Sequence, residues 1–143
     1  MGGVLFVGAV SGWFDDSKVE LDAEYRCEED CDGEFMKLDA AGYEELITAK
    51  KSFIVFVDQD DCTTADRLRG FVADWAREVG VKVYRMMFEQ VKNSSLHEQV
   101  KYYPSVAIIS KGKVIENLCA DSDEDANAYN DYDAFREWTR RYW

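Results

Sequence analysis

The chain has 143 residues, enough for one domain with a single core and too few for two comfortable ones. Apolar residues make up 47% and aromatics 14%, so it can bury a core and is no disordered tail. A formal net charge of −12 leaves no basic stripe to neutralise phosphates, which argues against nucleic acid as a partner.

The charge is unevenly placed. Residues 1–33 carry nine acidic and two basic side chains and residues 115–143 carry eight and three, whereas 34–114 carry twelve of each. The acid belongs to the two flanks and reads as solvated surface that keeps the chain soluble.

In chain order, the first stretch is GGVLFVGAVSGWF (2–14), apolar but too short for a bilayer, where about 20 residues are needed. Ala9 and Ser11 stand as a small-x-small pair, as at a signal-peptidase site, without the basic region that should precede it. The stretch reads either as the end of an export signal or anchor, or as an extra strand packed on the domain. A membrane is a partner only on the first reading. The sequon Asn93-Ser94-Ser95 gives a weak lean to an exported or secretory-pathway chain.

Cys27 and Cys31 then flank an acidic EED. They admit a local disulfide, a resolving pair for a distant thiol, half of a zinc site, or two free surface thiols. The zinc reading is weak, because His97 is the only histidine and there is no second cysteine pair. Residues 1–33 therefore form an apolar, then acidic extension, and 34–143 the domain.

From residue 34 strand and helix signals alternate. EFMKL (34–38) predicts a short strand, and Asp39 can cap a helix with Tyr43, Leu46 and Ile47 at helical spacing. FIVFV (53–57) has no polar interruption, which suits a strand covered on both faces. After Cys62, Leu68, Phe71, Val72, Trp75 and Val79 form one wide apolar helical stripe, stopped by Gly80. VKVYRMMF (81–88) predicts a strand, and Ser95-x-x-Glu98 a capping box opening a short helix. SVAII (105–109) and VIENL (114–118), joined by SKGK, predict an antiparallel hairpin. An acidic loop, 119–131, leads to a last helix carrying Phe135, Trp138 and Tyr142. Right-handed crossovers turn this βαβαβαββα order into a central mixed sheet with helices on both faces.

The chain at this point resembles the thioredoxin superfamily, with the protein disulfide isomerase-like branch nearest, over roughly residues 34–143. FIVFV runs into a turn and a long helix with Cys62 at its start, the place of the family's first active-site cysteine. Pro104, the only proline, begins KYYPSVAIISKGKVI, which looks like the family's proline, strand, glycine-turn, strand unit. The resemblance implies that Tyr103–Pro104 is cis and faces Cys62. The chain departs from the family in three places. The C-x-x-C motif is CTTA, so Ala65 replaces the resolving cysteine; Asp61 replaces the aromatic residue before the first cysteine; and Phe56 stands where thioredoxins keep a buried acid.

Cys62 at a helix N-terminus has the dipole in favour of its thiolate, while Asp58, Asp60, Asp61 and Asp66 oppose it. Cys119, at the end of an apolar strand, reads as buried packing. Asp121-x-Asp123-x-Asp125 opens like a calcium loop, but Ala126 replaces the required glycine and Tyr132 the closing glutamate. The expectation is a redox-inactive or weakly active module that binds a protein or peptide with an extended segment or free thiol, using Cys62, Asp61, Thr63, Tyr103 and Pro104, and needing no metal or cofactor. The alternatives are a monothiol thiol–disulfide oxidoreductase working through Cys62 and an acidic, low-affinity calcium-binding module.

Overall fold

The computed structural model describes residues 18–29 and 31–143. The apolar stretch 2–14 lies outside the described residues.

Five strands form one sheet: β1 (Met36–Lys37), β2 (Phe53–Asp58), β3 (Tyr84–Met87), β4 (Ser105–Ser110) and β5 (Lys113–Asn117). They lie in the order β1-β3-β2-β4-β5, with β1, β3 and β2 parallel and β4 antiparallel to both β2 and β5. The apolar strand β2 is central, and each of its six residues is buried. Its side chains alternate between the faces of the sheet. On one face Phe53 meets Tyr43 of α1 (Ala40–Thr48), ring centroids 6.1 Å apart. On the other, Ile54 lies with Val106 and Ile108 against Trp75 of α2 (Thr63–Val79) and Phe135 and Trp138 of α5 (Tyr132–Thr139). Helices therefore cover both faces, in the arrangement expected from the sequence.

Local chemistry accounts for the element ends. The Asp39 side chain accepts from the Gly42 N–H at 2.8 Å and caps α1. Gly80 ends α2 in the left-handed region, φ 76°. In the β4–β5 turn Lys111 and Gly112 both have positive φ, and a Cβ on Gly112 would stand 2.6 Å from the Ile47 carbonyl oxygen.

Three expected elements differ in detail. The strand expected over 81–88 is confined to Tyr84–Met87, because Phe88 opens a short helix α3 (Phe88–Lys92) that buries Val91 and sets Phe88 against Tyr103. The capping box shifts by one residue: Ser94 caps the turn 95–98, while Ser95 is engaged by Glu44 of α1 through both its N–H and its hydroxyl. The loop expected over 119–131 holds a helix α4 (Asp123–Ala126) and a 3₁₀ turn that buries Ala128 and Tyr129.

The described part of the acidic extension joins the same core. Val19, Leu21 and Tyr25 are buried, and Tyr25 shares a 2.8 Å hydrogen bond with the hydroxyl of Tyr84. The Cys27 N–H donates to the Gly80 carbonyl at 2.8 Å and the Lys82 N–H to the Tyr25 carbonyl at 2.8 Å. The sheet begins at Met36, and the core draws on residues before it. Among the described residues no helix is long and apolar enough to cross a membrane.

Candidate functional site

The parallel strands β1, β3 and β2 all end at one end of the sheet. There β4 begins and β5 ends. Val57 pairs with Ser105, and the Leu118 N–H donates to the Val106 carbonyl at 2.9 Å. Three connections therefore emerge side by side: 59–62 into α2, 102–104 into β4, and 118–122 out of β5.

Cys62 occupies the N-cap position of α2, with extended backbone and no side-chain cap bond, so its sulfur is not committed to the helix's own N–H groups. The turn before it passes through Asp61 at φ 54°. Cys62 is half-buried between exposed Asp61 and exposed Thr63, and Tyr103 is half-buried beside buried Pro104. The Tyr103–Pro104 peptide is cis. One turn into the helix, Ala65 is fully buried. The five residues expected to form the site thus converge on one end of the sheet.

Asp58 departs from expectation. The sequence sets it among four acids opposing a Cys62 thiolate, yet its side chain is fully buried and its charge is already matched. Arg69 of α2 donates from Nε to Oδ2 at 2.9 Å and from Nη2 to Oδ1 at 2.7 Å. Arg85 of β3 donates from Nε to Oδ2 at 2.5 Å. The Gln59 N–H adds a bond to Oδ1 at 2.8 Å. Burial pushes this carboxyl up, and the bonds from Arg69, Arg85 and Gln59 outweigh it, holding Asp58 below the ordinary carboxylate range. Asp66 also pairs with Arg69, Nη1 to Oδ1 at 2.9 Å. Among the described residues Asp60 and Asp61, in the turn before Cys62, form no ion pair. Sequence reading missed this cluster; its signal is an acid closing an otherwise apolar strand.

Cys119 lies at the same end, half-buried rather than buried packing. The buried Tyr129 hydroxyl lies 2.8 Å from the Pro104 carbonyl oxygen and 3.0 Å from that of Leu118, and the Ser105 hydroxyl donates to the same Leu118 carbonyl at 2.7 Å. These bonds tie the start of β4 to the end of β5. Burial raises the Tyr129 hydroxyl well above its ordinary value, so it stays a donor throughout the physiological range. Tyr129→Phe is expected to cost about 1–3 kcal/mol of unfolding free energy, because it strips a buried donor from these carbonyls. A urea midpoint indistinguishable from that of the unmodified protein would show that the two strand ends hold together without it.

Cys27 and Cys31 form the expected local disulfide, Cα–Cα 5.8 Å. It lies beside Gly80, at the far end of α2 from Cys62. Seventeen helical residues at 1.5 Å each set the two ends about 25 Å apart, so this pair is no resolving pair for Cys62. Among the described residues no three His, Cys, Asp or Glu side chains gather as a metal-holding group. Within the acidic run Asp125 is turned inward, accepting from the Cys119 N–H at 2.9 Å. His97 is exposed, with Nδ1 2.6 Å from the Ser94 carbonyl oxygen.

No family model and no curated protein sequence matches the chain. Solved structures do match its fold. A thioredoxin from Halobacterium salinarum, solved as a point mutant, superposes with a TM-score of 0.58 at 13% identity, over 78% of this chain and 92% of that one. The thioredoxin f2 complex with ferredoxin: thioredoxin reductase gives 0.51 at 15%, over 76% and 96%. Mitochondrial thioredoxin 3 from Saccharomyces cerevisiae gives 0.50 at 11%, over 59% and 82%. The chain has the thioredoxin fold, and at these identities the likeness extends to the fold alone.

Proposed function

We propose that this protein is a thioredoxin-fold binding module that holds an extended peptide across the Cys62, Tyr103 and Pro104 end of its sheet and can capture a sulfur of that peptide on Cys62. The observation that carries this reading is one of placement. Half-buried Cys62, exposed Thr63 and half-buried Tyr103 share one sheet end, while the position one helical turn after the sulfur holds the buried methyl of Ala65. Thiol–disulfide turnover needs a second thiol to release the mixed disulfide. A site with one sulfur in its helix captures and holds.

The reading is tested by titrating an extended, cysteine-bearing peptide and its serine analogue into labelled protein and following amide shifts by NMR. Shifts are expected to cluster at 61–63, 103 and 105 with both peptides, with a covalent species only for the cysteine form. Shifts confined to other faces, such as the acidic segment 121–125, would rule the site out.

A second reading, a monothiol thiol–disulfide oxidoreductase using Cys62, draws on the pairing of Asp58 and Asp66 with Arg69 and Arg85, which leaves fewer charges against the thiolate than the sequence suggests. Disulfide reduction by the unmodified protein that Cys62→Ser abolishes, at a rate Ala65→Cys does not raise, would favour it.

A further inference from the structure

We infer that the end of the sheet opposite Cys62 holds a binding site for a compact polyanion, a small cluster of phosphate groups, clasped by Lys18, Lys50 and Lys111. There β2 begins and β4 ends, and a cavity of about 710 Å³ opens between three segments: 18–23 of the extension, 50–52 after α1, and the turn residues 110–111. That volume lies within the roughly 300–1,000 Å³ of small-molecule sites. The site is independent of the proposed peptide site and shares no residue with it.

Ser52 holds the three walls together. The Asp22 N–H donates to its carbonyl at 3.2 Å and the Lys111 N–H to its hydroxyl oxygen at 2.9 Å, while the Gly112 N–H donates to the Lys51 carbonyl at 2.9 Å. Ser52 is buried, and among the described residues its own hydroxyl proton has no acceptor and the Ser110 hydroxyl has no partner. The cavity therefore offers two hydroxyl donors beside three ammonium groups.

The cavity does not balance its own charge. Its two carboxylates already face other cations, Glu20 with Arg26 at 3.6 Å and Asp22 with Lys51 at 3.6 Å. Among the described residues Lys18, Lys50 and Lys111 form no ion pair, and Lys18 gives one of its three N–H bonds to the Arg140 carbonyl. Exposed charges farther off count for little, because screening at physiological salt acts within about 8 Å. The net charge of −12 therefore does not cancel the three lysines at this end.

Two of the lysines stand where the backbone does not favour them. Lys50 follows α1 at φ 58° and Lys111 enters the β4–β5 turn at φ 52°, in the left-handed region that glycine fills more readily. Lysine adds nothing to either turn that glycine lacks except its charged side chain. Ammonium groups bind phosphate as point charges. Three around one cavity suit a compact polyphosphate rather than the long backbone of a nucleic acid. A single carboxylate would leave two of the three unanswered.

The test titrates tripolyphosphate into the labelled full chain and follows amide shifts by NMR. A second arm follows sedimentation with phosphatidylcholine vesicles, with and without phosphatidylinositol bisphosphate. Saturable shifts at 18, 50–52 and 110–112 with tripolyphosphate alone assign the phosphates to a soluble ligand. Retention by the bisphosphate vesicles, with or without those shifts, assigns them to a lipid headgroup. Lys50→Gly and Lys111→Gly should each weaken the binding about ten-fold, while Lys37→Gln on β1 leaves it unchanged. Glycine suits both turns, so the thermal midpoints of these two variants should hold or rise, and lost binding then reports the missing charge. No binding in either arm, shifts centred elsewhere, or equal affinity in the glycine variants and the unmodified protein would overturn the site. The peptide reading at Cys62 stands or falls separately.

Discussion

Ala65→Cys is expected to raise the reduction of insulin by dithiothreitol at least roughly ten-fold over the unmodified protein. Residue 65 sits three positions after Cys62, so it lies on the same side of the helix, one turn further in. The methyl it replaces is fully buried, and a cysteine there adds one soft atom to an apolar setting, at a cost of at most about 1–3 kcal/mol. Once Cys62 has formed a mixed disulfide, the new thiol, one helical turn away, is the nearest nucleophile. Ala65→Ser likewise adds one heavy atom to the methyl but supplies no sulfur, and should leave the rate where it was. A folded Ala65→Cys protein with a titratable Cys62 and no gain in rate would show that the missing sulfur is not what limits this site.

How much of this site the sequence discloses depends on the range over which each feature is decided. FIVFV and the stripe Leu68, Phe71, Val72, Trp75 and Val79 are local patterns, so β2, α2 and the position of Cys62 between them are legible. The hairpin is legible for the same reason, since the turn Ser110–Lys113 leaves no other pairing. Asp58 is not. It reads as one acid in a run of four because nothing local reveals that Arg69, eleven residues on, and Arg85, twenty-seven on, reach back to it. Phe56 at the position expected to hold a buried acid points away from an acid altogether, and the buried carboxylate stands two residues later, on the same face of the strand. The placement of Cys119 depends on the register of β5, which slips by a bulge between Ile108 and Ile109, and on Tyr129, which lies in a segment whose composition reads as loop.

Asp58→Asn is expected to lower the unfolding free energy at neutral pH by about 3–5 kcal/mol, the cost of breaking pairs whose carboxylate is fully buried and whose two arginines, each 32% exposed, lose their counter-charge. For a domain of this size that is from about a fifth to all of a total of about 5–15 kcal/mol. The amide keeps the shape of the carboxyl but carries no charge and brings donors where Arg69, Arg85 and the Gln59 N–H all need an acceptor. The pH dependence has a definite sign. Asp58 is held below its ordinary value in the folded protein, so its contribution is fully present above the unfolded pKa of about 3.9 and is lost as pH falls through the lower, folded value. Urea denaturation between neutral pH and pH 2 should therefore show the unmodified and Asp58→Asn proteins far apart at neutral pH and converging in acid. Replacing Asp58, Arg69 and Arg85 together with apolar residues of similar volume should recover much of the loss, because no charge is then left unpaired. Because the Gln59 N–H is held by Asp58, the same substitution should loosen the turn before Cys62, seen as faster amide exchange at 59–63. An Asp58→Asn protein within about 1 kcal/mol of the unmodified one at neutral pH would mean that the two arginines find solvent instead, and that the carboxylate does not anchor the start of α2.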